Sequence, residues 1–158
     1  MVDHMSSVDE IYMREAFRQA VTAAQSDEVP VGAVIVHQNK IIAKAYNQVE
    51  LLKDPTAHAE MIAITQATNF LQLKWLKDCT LYVTIEPCSM CAGALILSRI
   101  DRVVFGAHDA KTGACGSVIN IAQHNKLNHQ INLTHGIIQD DCGALMSDFF
   151  RKKRKKEN

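Results

Sequence analysis

The chain has 158 residues, 47% hydrophobic and 22% charged, with 17 Lys plus Arg balanced by 17 Asp plus Glu. Those values fit one globular domain spanning 1–158 and exclude a chain that is disordered throughout. The longest apolar stretches, residues 29–36 and 90–97, have eight residues each, far short of the ~20 that a membrane helix needs.

Residues 1–5, Met-Val-Asp-His-Met, add nothing to a fold and read as a leader before a native start at Met5. Ser7 and Glu10 have the Ser-x-x-Glu spacing of a capping box. After it Met13, Ala16, Phe17, Ala20, Val21 and Ala24 recur on one face of a helix, which Pro30 ends. Residues 31–37 and 40–46 are β-rich runs around Gln38-Asn39, a hairpin pattern. Residues 47–56 read as a polar loop closed by Asp54-Pro55-Thr56. Residues 57–68 read as a helix with Ala59, Ile62, Ala63 and Ala67 inward.

Residues 80–85 are β-branched and aromatic, hence a strand. Pro87 suits the first turn of a helix over 88–98, where its missing N–H costs nothing. Residues 102–107 are nearly all apolar, as in a central strand. Residues 111–116 form a loop, 131–138 a short strand, and 140 onward a helix with Leu145, Phe149 and Phe150 on one face. This order predicts an α/β fold, a mixed sheet covered by helices on both faces.

The zero net charge hides an uneven distribution. The basic tail, residues 151–158, holds six basic residues and one acid, +5, which leaves −5 on residues 1–150. The N-terminus lacks a basic region followed by an apolar core, so no secretory signal is expected. The five cysteines are an odd number, not spaced like a disulfide framework, and point to the reducing cytoplasm.

His58, Glu60, Cys88 and Cys91 carry the chemistry. Cys88 and Cys91, spaced i, i+3 at a helix start, aim both sulfurs one way, and a helix N-terminus favours thiolate. Alone the pair fits a redox couple, half a structural zinc site or two buried thiols. His58 opens a helix 30 residues upstream, a separation that one helix and one strand can cover. One imidazole and two thiolates leave a fourth zinc position open, the catalytic rather than the structural pattern. Their charges sum with Zn²⁺ to zero. Glu60, in the same first turn as His58, can reach past the helix end as a general acid/base. A structural four-ligand site recruiting Cys79, Cys115 or Cys142 is the rival, since these otherwise read as small buried residues. His4, His37, His108, His124, His129 and His135 read as packing or surface residues.

These residues carry a resemblance. His58-Ala59-Glu60 with Pro87-Cys88-Ser89-Met90-Cys91 resembles the signature of zinc-dependent base deaminases, the cytidine/deoxycytidylate deaminase superfamily. Glu28-Val29-Pro30-Val31-Gly32-Ala33, Thr84-Ile85-Glu86 and Arg102-Val103-Val104-Phe105-Gly106-Ala107-His108-Asp109-Ala110-Lys111-Thr112-Gly113-Ala114 narrow it to the bacterial tRNA-specific adenosine deaminases, over about residues 8–153. The resemblance implies a three-layer α/β/α sandwich with a mixed five-stranded sheet, a cytoplasmic homodimer, and adenosine-to-inosine conversion at the tRNA wobble position. It implies that His58, Cys88 and Cys91 hold one zinc per subunit and that Glu60 shuttles protons. It places Asn47 against the flipped base, offering donor and acceptor, and Asp109 near the ribose 2′-OH. A loop amide bonding only backbone and a turn-forming Asp are the plainer readings of those two. His108 stands where Arg is frequent, and Cys115 where Ala is common. In the tail, Phe150 can stack on a splayed base and Arg151 can offset phosphates of the anticodon stem-loop. The alternatives are a deaminase of free cytosine, guanine or nucleosides, and a non-catalytic zinc module that binds RNA.

Overall fold

The computed structural model describes residues 4–158, with the elements in the expected order. Helix α1 spans His4–Gln25. Ser7 therefore lies within the helix, and the Ser7–Glu10 pair does not open it. Residues 1–3 of the expected leader lie outside the described residues, while His4 and Met5 belong to α1. Met13, Ala16 and Ala20 are fully buried, as their spacing predicts; in the last turn Ala23 is buried in place of Ala24.

Strands β1 (Gly32–His37) and β2 (Lys40–Tyr46) form the hairpin. Gln38 and Asn39 both have positive φ, 51° and 62°, as a two-residue type I′ turn requires. Gly32 is needed where α1 crosses β1. A Cβ there would lie 2.0 Å from the Ala16 carbonyl oxygen and 2.4 Å from the Ala20 nitrogen.

The polar loop after β2 differs from expectation. It contains a one-turn helix, α2 (Val49–Leu52). Too short for periodicity to reveal, it is held by a distant residue. The buried Glu28 carboxylate accepts the Glu50 and Leu51 N–H groups, each at 2.8 Å, supplying partners that a helix start otherwise lacks.

Helix α3 (Ala59–Leu71), strand β3 (Cys79–Ile85), helix α4 (Ser89–Leu97) and strand β4 (Arg102–Ala107) follow, then β5 (Asn132–His135) and α5 (Gln139–Glu157). The sheet order is β2-β1-β3-β4-β5. β1 is antiparallel to β2 and β3, while β3, β4 and β5 run parallel, so the sheet is mixed. Alternation sorts the side chains. Val34, Tyr82 and Val104 form one cross-strand row and pack with Met13 and Ala16 of α1. Ala33, Ile35, Leu81, Val83, Val103 and Phe105 face the opposite way and pack with Ala59, Ala63 and Ala67 of α3 and Leu95 of α4. Burial on both faces explains the nearly continuous apolar strands.

A polar clamp ties α1 to this sheet. Arg102 donates to both Asp9 carboxylate oxygens at 2.8 and 2.7 Å, and the Tyr82 hydroxyl donates to the same carboxylate at 2.8 Å. Burial alone would raise the Asp9 carboxyl, but Arg102 and Tyr82 outweigh it and hold it below its usual range.

Cys142 is the buried contact of α5 and Met146 packs on the core beside it; the expected Leu145 and Phe149, three and seven residues on from Cys142, share that face and are half-buried, while Phe150 is exposed. Gly106 makes room for Cys142. A Cβ there would lie 2.6 Å from the Cys142 sulfur, so only glycine lets α5 settle that closely on β4.

Candidate active site

The site lies where α3 and α4 begin. His58 is the residue before α3, extended at φ −75° and ψ 152°, and Cys88 is the residue before α4, at φ −75° and ψ 177°. Neither side chain caps its own helix, so the ring and the thiol are free to face each other. His58 Nδ1 stands 3.6 Å from Cys88 Sγ and 3.5 Å from Cys91 Sγ, and the three ligand atoms lie within 4.8 Å of one another. A tetrahedral zinc with Zn–S of about 2.3 Å and Zn–N of about 2.05 Å places neighbouring N and S atoms about 3.6 Å apart. The donor set therefore fits a zinc ion. Among the described residues no fourth ligand joins the group. Cys79, Cys115 and Cys142 stay outside it, buried and unpaired with one another, which leaves the structural four-ligand site unsupported.

Protonation in this triad is shared. The Cys91 thiol donates to Cys88 and, with His58, pulls the Cys88 thiol down to about 4 against its burial. Cys91 is pushed far up, first by that same hydrogen bond and then by burial. The sulfur of Cys88 also raises the His58 ring above its ordinary range. Holding a divalent cation requires the Cys91 proton to leave, because metal ligands must be deprotonated.

Glu60 sits in the first turn of α3 and is only 4% exposed. It is not part of the ligand group. Burial raises its carboxyl, with the nearby His58 ring opposing. Glu60, His58, Cys88 and Asn47 line one cleft of about 910 Å³.

Asn47 is buried, and its Oδ1 accepts the Ala59 N–H at 2.8 Å. It thus caps α3 from a distance, where the His58 side chain does not. One lone pair of Oδ1 is engaged, which leaves the Nδ2 donors and a second lone pair for a ligand. Asp109 also lines the cleft. Its Oδ1 accepts the N–H groups of Lys111 and Thr112 at 2.9 and 3.1 Å, and its Oδ2 accepts the Thr112 hydroxyl at 2.8 Å. The turn-forming reading accounts for those bonds, while Oδ2 keeps a lone pair for another donor.

The basic helix end divides. Phe150, Lys153 and Arg154 line the cleft, whereas Arg151 is not among the lining residues and pairs with Asp148 at 2.7 Å on the exposed side. Lys153 and Arg154 were not distinguishable in a run of six basic residues until α5 had a measured face. His108 is more than a surface residue. Its Nδ1 lies 3.2 Å from Glu86 and its Nε2 3.3 Å from His135. Glu86, quoted above only as part of a motif, is buried at 3% exposure. Burial would raise its carboxyl, but the Ser117 hydroxyl and the N–H groups of Ser117, Asp109 and Cys115 hold it below the usual range. Its sequence signal was an acid inside an apolar strand end, with its partners more than 20 residues away.

The chain was compared with known proteins. The family model described as MafB19-like deaminase matches residues 7–154. The tRNA-specific adenosine deaminase of Bacillus subtilis is 47% identical over 149 residues, covering 94% of this chain and 92% of the relative. That of Aquifex aeolicus is 49% identical over 145 residues, covering 92% and 95%. Among solved structures, one from studies of A-to-I editing by tRNA:A34 deaminases at the wobble position matches with a TM-score of 0.83 and 36% identity, covering 85% of this chain and 98% of that one. A matched family model over nearly the whole chain, relatives of the same name at full length, and a His-Cys-Cys group beside a buried glutamate agree: the chain belongs to the family of tRNA-specific adenosine deaminases.

Proposed function

We propose that the chain is a zinc-dependent hydrolase that converts adenosine to inosine at the wobble position of the tRNA anticodon. The observation that carries the reading is the three-ligand group with buried Glu60 beside it, in a cleft that reaches Phe150, Lys153 and Arg154. His58, Cys88 and Cys91 hold one zinc per subunit. Zinc bound there supplies a water that is nucleophilic near neutral pH. Glu60 takes one proton from the attacking water and passes it to the ring nitrogen next to C6, then takes the second from the new C6 hydroxyl and passes it to the amino group, which leaves as ammonia. Adenosine and water give inosine and ammonia. The Asn47 Nδ2–H donates to an acceptor on the flipped base, and Asp109 Oδ2 accepts from the ribose 2′-OH. Phe150 stacks on a neighbouring base, while Lys153 and Arg154 offset anticodon-loop phosphates. Arg151, paired with Asp148 on the exposed side, makes no phosphate contact in this reading.

The working unit in this reading is a cytoplasmic homodimer. Helix α4, Ser-Met-Cys-Ala-Gly-Ala-Leu-Ile-Leu, is apolar nearly all round, a composition that belongs to a helix buried on every side. Yet Leu97 is 78% exposed, and Phe70, at the end of α3, is 67% exposed. A second copy covering this side would bury both. Leu97→Glu should yield monomers by sedimentation at concentrations where the parent chain is dimeric. Among the described residues no helix is long and apolar enough to cross a membrane.

The deciding experiment is incubation of the zinc-loaded protein with an anticodon stem-loop carrying wobble adenosine, scored for inosine. Parallel reactions contain free cytosine, guanine and adenosine. Conversion of a free base or nucleoside with an untouched stem-loop would replace this reading by the free-base alternative, and binding without any conversion by the non-catalytic one.

A further inference from the structure

Glu86 is the second residue before Cys88, and its carboxylate is met mainly by residues 109–117, with His108 Nδ1 beside Oε1. Oε1 accepts the Asp109 N–H at 3.1 Å, and Oε2 accepts the N–H groups of Cys115 and Ser117 at 3.0 and 3.1 Å. The Ser117 hydroxyl donates to Oε1 as well. A carboxylate offers about four acceptor sites; residues 109–117 supply four donors, and His108 Nδ1 lies a further 3.2 Å from Oε1. The Gly113 and Gly116 N–H groups reach the Asp109 and Ile119 carbonyls, whereas those of Asp109, Cys115 and Ser117 find their acceptor in Glu86.

Further links join the same two pieces. The Ala114 N–H donates to the Pro87 carbonyl at 2.9 Å, and Gly113 bridges to Cys88. The fit is tight, since a Cβ on Gly113 would lie 2.3 Å from Glu86 Oε2. Outward, the segment presents Asp109, Lys111 and Thr112 to the cleft. One buried carboxylate therefore lies between the ligand-bearing start of α4 and a wall of the cleft.

We infer that Glu86 is a positioning residue: it fixes the 109–117 wall against the start of α4, so that the wall meets substrate at a set distance from the metal ligands. Its catalytic consequence rests on the deaminase reading; the anchoring itself does not. Glu86→Gln keeps the shape but turns one acceptor oxygen into a donor. Either orientation of the amide sets an NH₂ group against backbone N–H donors.

The test uses zinc-loaded full-length protein. In Glu86→Gln, hydrogen exchange of the 109–117 amides should rise at least about tenfold, the scale of one lost buried hydrogen bond. KM for the stem-loop should rise by about 10- to 100-fold, with kcat changed much less and zinc content unchanged. Gly113→Ala leaves Glu86 in place but drives a methyl into its carboxylate, and should reproduce both effects. Ser117→Ala, the mildest lesion and the fallback if Glu86→Gln does not fold, should shift exchange and KM in the same direction by less. Unchanged exchange in these variants overturns the inference. So does loss of zinc or a collapse of kcat at constant KM, since Glu86 would then support the ligand helix and not the wall. If the parent chain makes no inosine, the functional reading fails, while the exchange measurement still decides the anchoring.

Discussion

Only part of the basic helix end faces the cleft, and that division sets how RNA binding should respond to salt. Lys153 and Arg154 line the cleft, whereas Arg151 is engaged with Asp148 at 2.7 Å. Each phosphate neutralised on single-stranded nucleic acid contributes about 0.7 to the slope of log affinity against log salt. Replacing Lys153 and Arg154 together by Ala should flatten that slope by about 1.4. Between about 50 and 200 mM salt, the parent chain should lose roughly sevenfold more affinity than the double variant. Arg151→Ala should leave the slope where it was. The measurement is anisotropy of a labelled stem-loop across a salt series, with zinc-loaded protein in a Glu60→Gln background so that substrate is not consumed. If Arg151→Ala flattens the slope as much as the double substitution does, the division of the helix into a cleft side and an outer side is wrong.

Glu60→Gln should keep the zinc content of the parent chain and lose about 10²–10⁴-fold in turnover; a parallel loss of zinc would make Glu60 a ligand instead. Asp9→Asn should destabilise the fold by about 3 kcal/mol at pH 7, because it leaves Arg102 partly buried without its partner, as read by urea unfolding. The pH dependence has a definite sign. The folded Asp9 carboxyl lies below its unfolded value of about 3.9. Its contribution is complete above that value and is lost as pH falls through the folded one. The gap between parent and variant should therefore be flat from about pH 5 upward and close below pH 4; a gap that widens in acid contradicts the clamp.

What was legible in the sequence is what repeats or what is local. The face of α1, the hairpin at Gln38-Asn39 and the Cys-x-x-Cys at the start of α4 declare themselves within a few residues, whereas Pro87 lies just before the Cys88 cap and not in the first turn. What was not legible depends on partners far along the chain. The α2 turn exists because Glu28 reaches Glu50 and Leu51. The wall of the cleft exists because Glu86 reaches residues 109–117. A carboxylate serving backbone groups in this way carries no periodicity; for Glu86 the local signal is its place at an apolar strand end, which does not reveal its partners. Cys142 as the closest contact of α5 was hidden for a related reason, since a missing Cβ at Gly106 on another element makes room for it.

In the proposed reading Asn47 serves both stability and chemistry with one side chain. Its Oδ1 caps α3 at the Ala59 N–H, so the start of the helix that presents His58 and Glu60 depends on it. Its Nδ2 donates to the base. The two roles separate by substitution. Asn47→Asp retains an acceptor for the Ala59 N–H, and a negative charge at a helix N-terminus is favourable. Its unfolding free energy should therefore stay within about 0.5 kcal/mol of the parent chain. It has no donor to offer the purine, so kcat/KM on the stem-loop should fall by roughly 10- to 100-fold, the worth of one buried hydrogen bond left unmade. Asn47→Ala loses both, and should show the same kinetic loss together with about 1 kcal/mol of destabilisation. Full activity in a stable, zinc-loaded Asn47→Asp protein would reduce Asn47 to a helix cap, and base recognition would then have to come from elsewhere in the cleft.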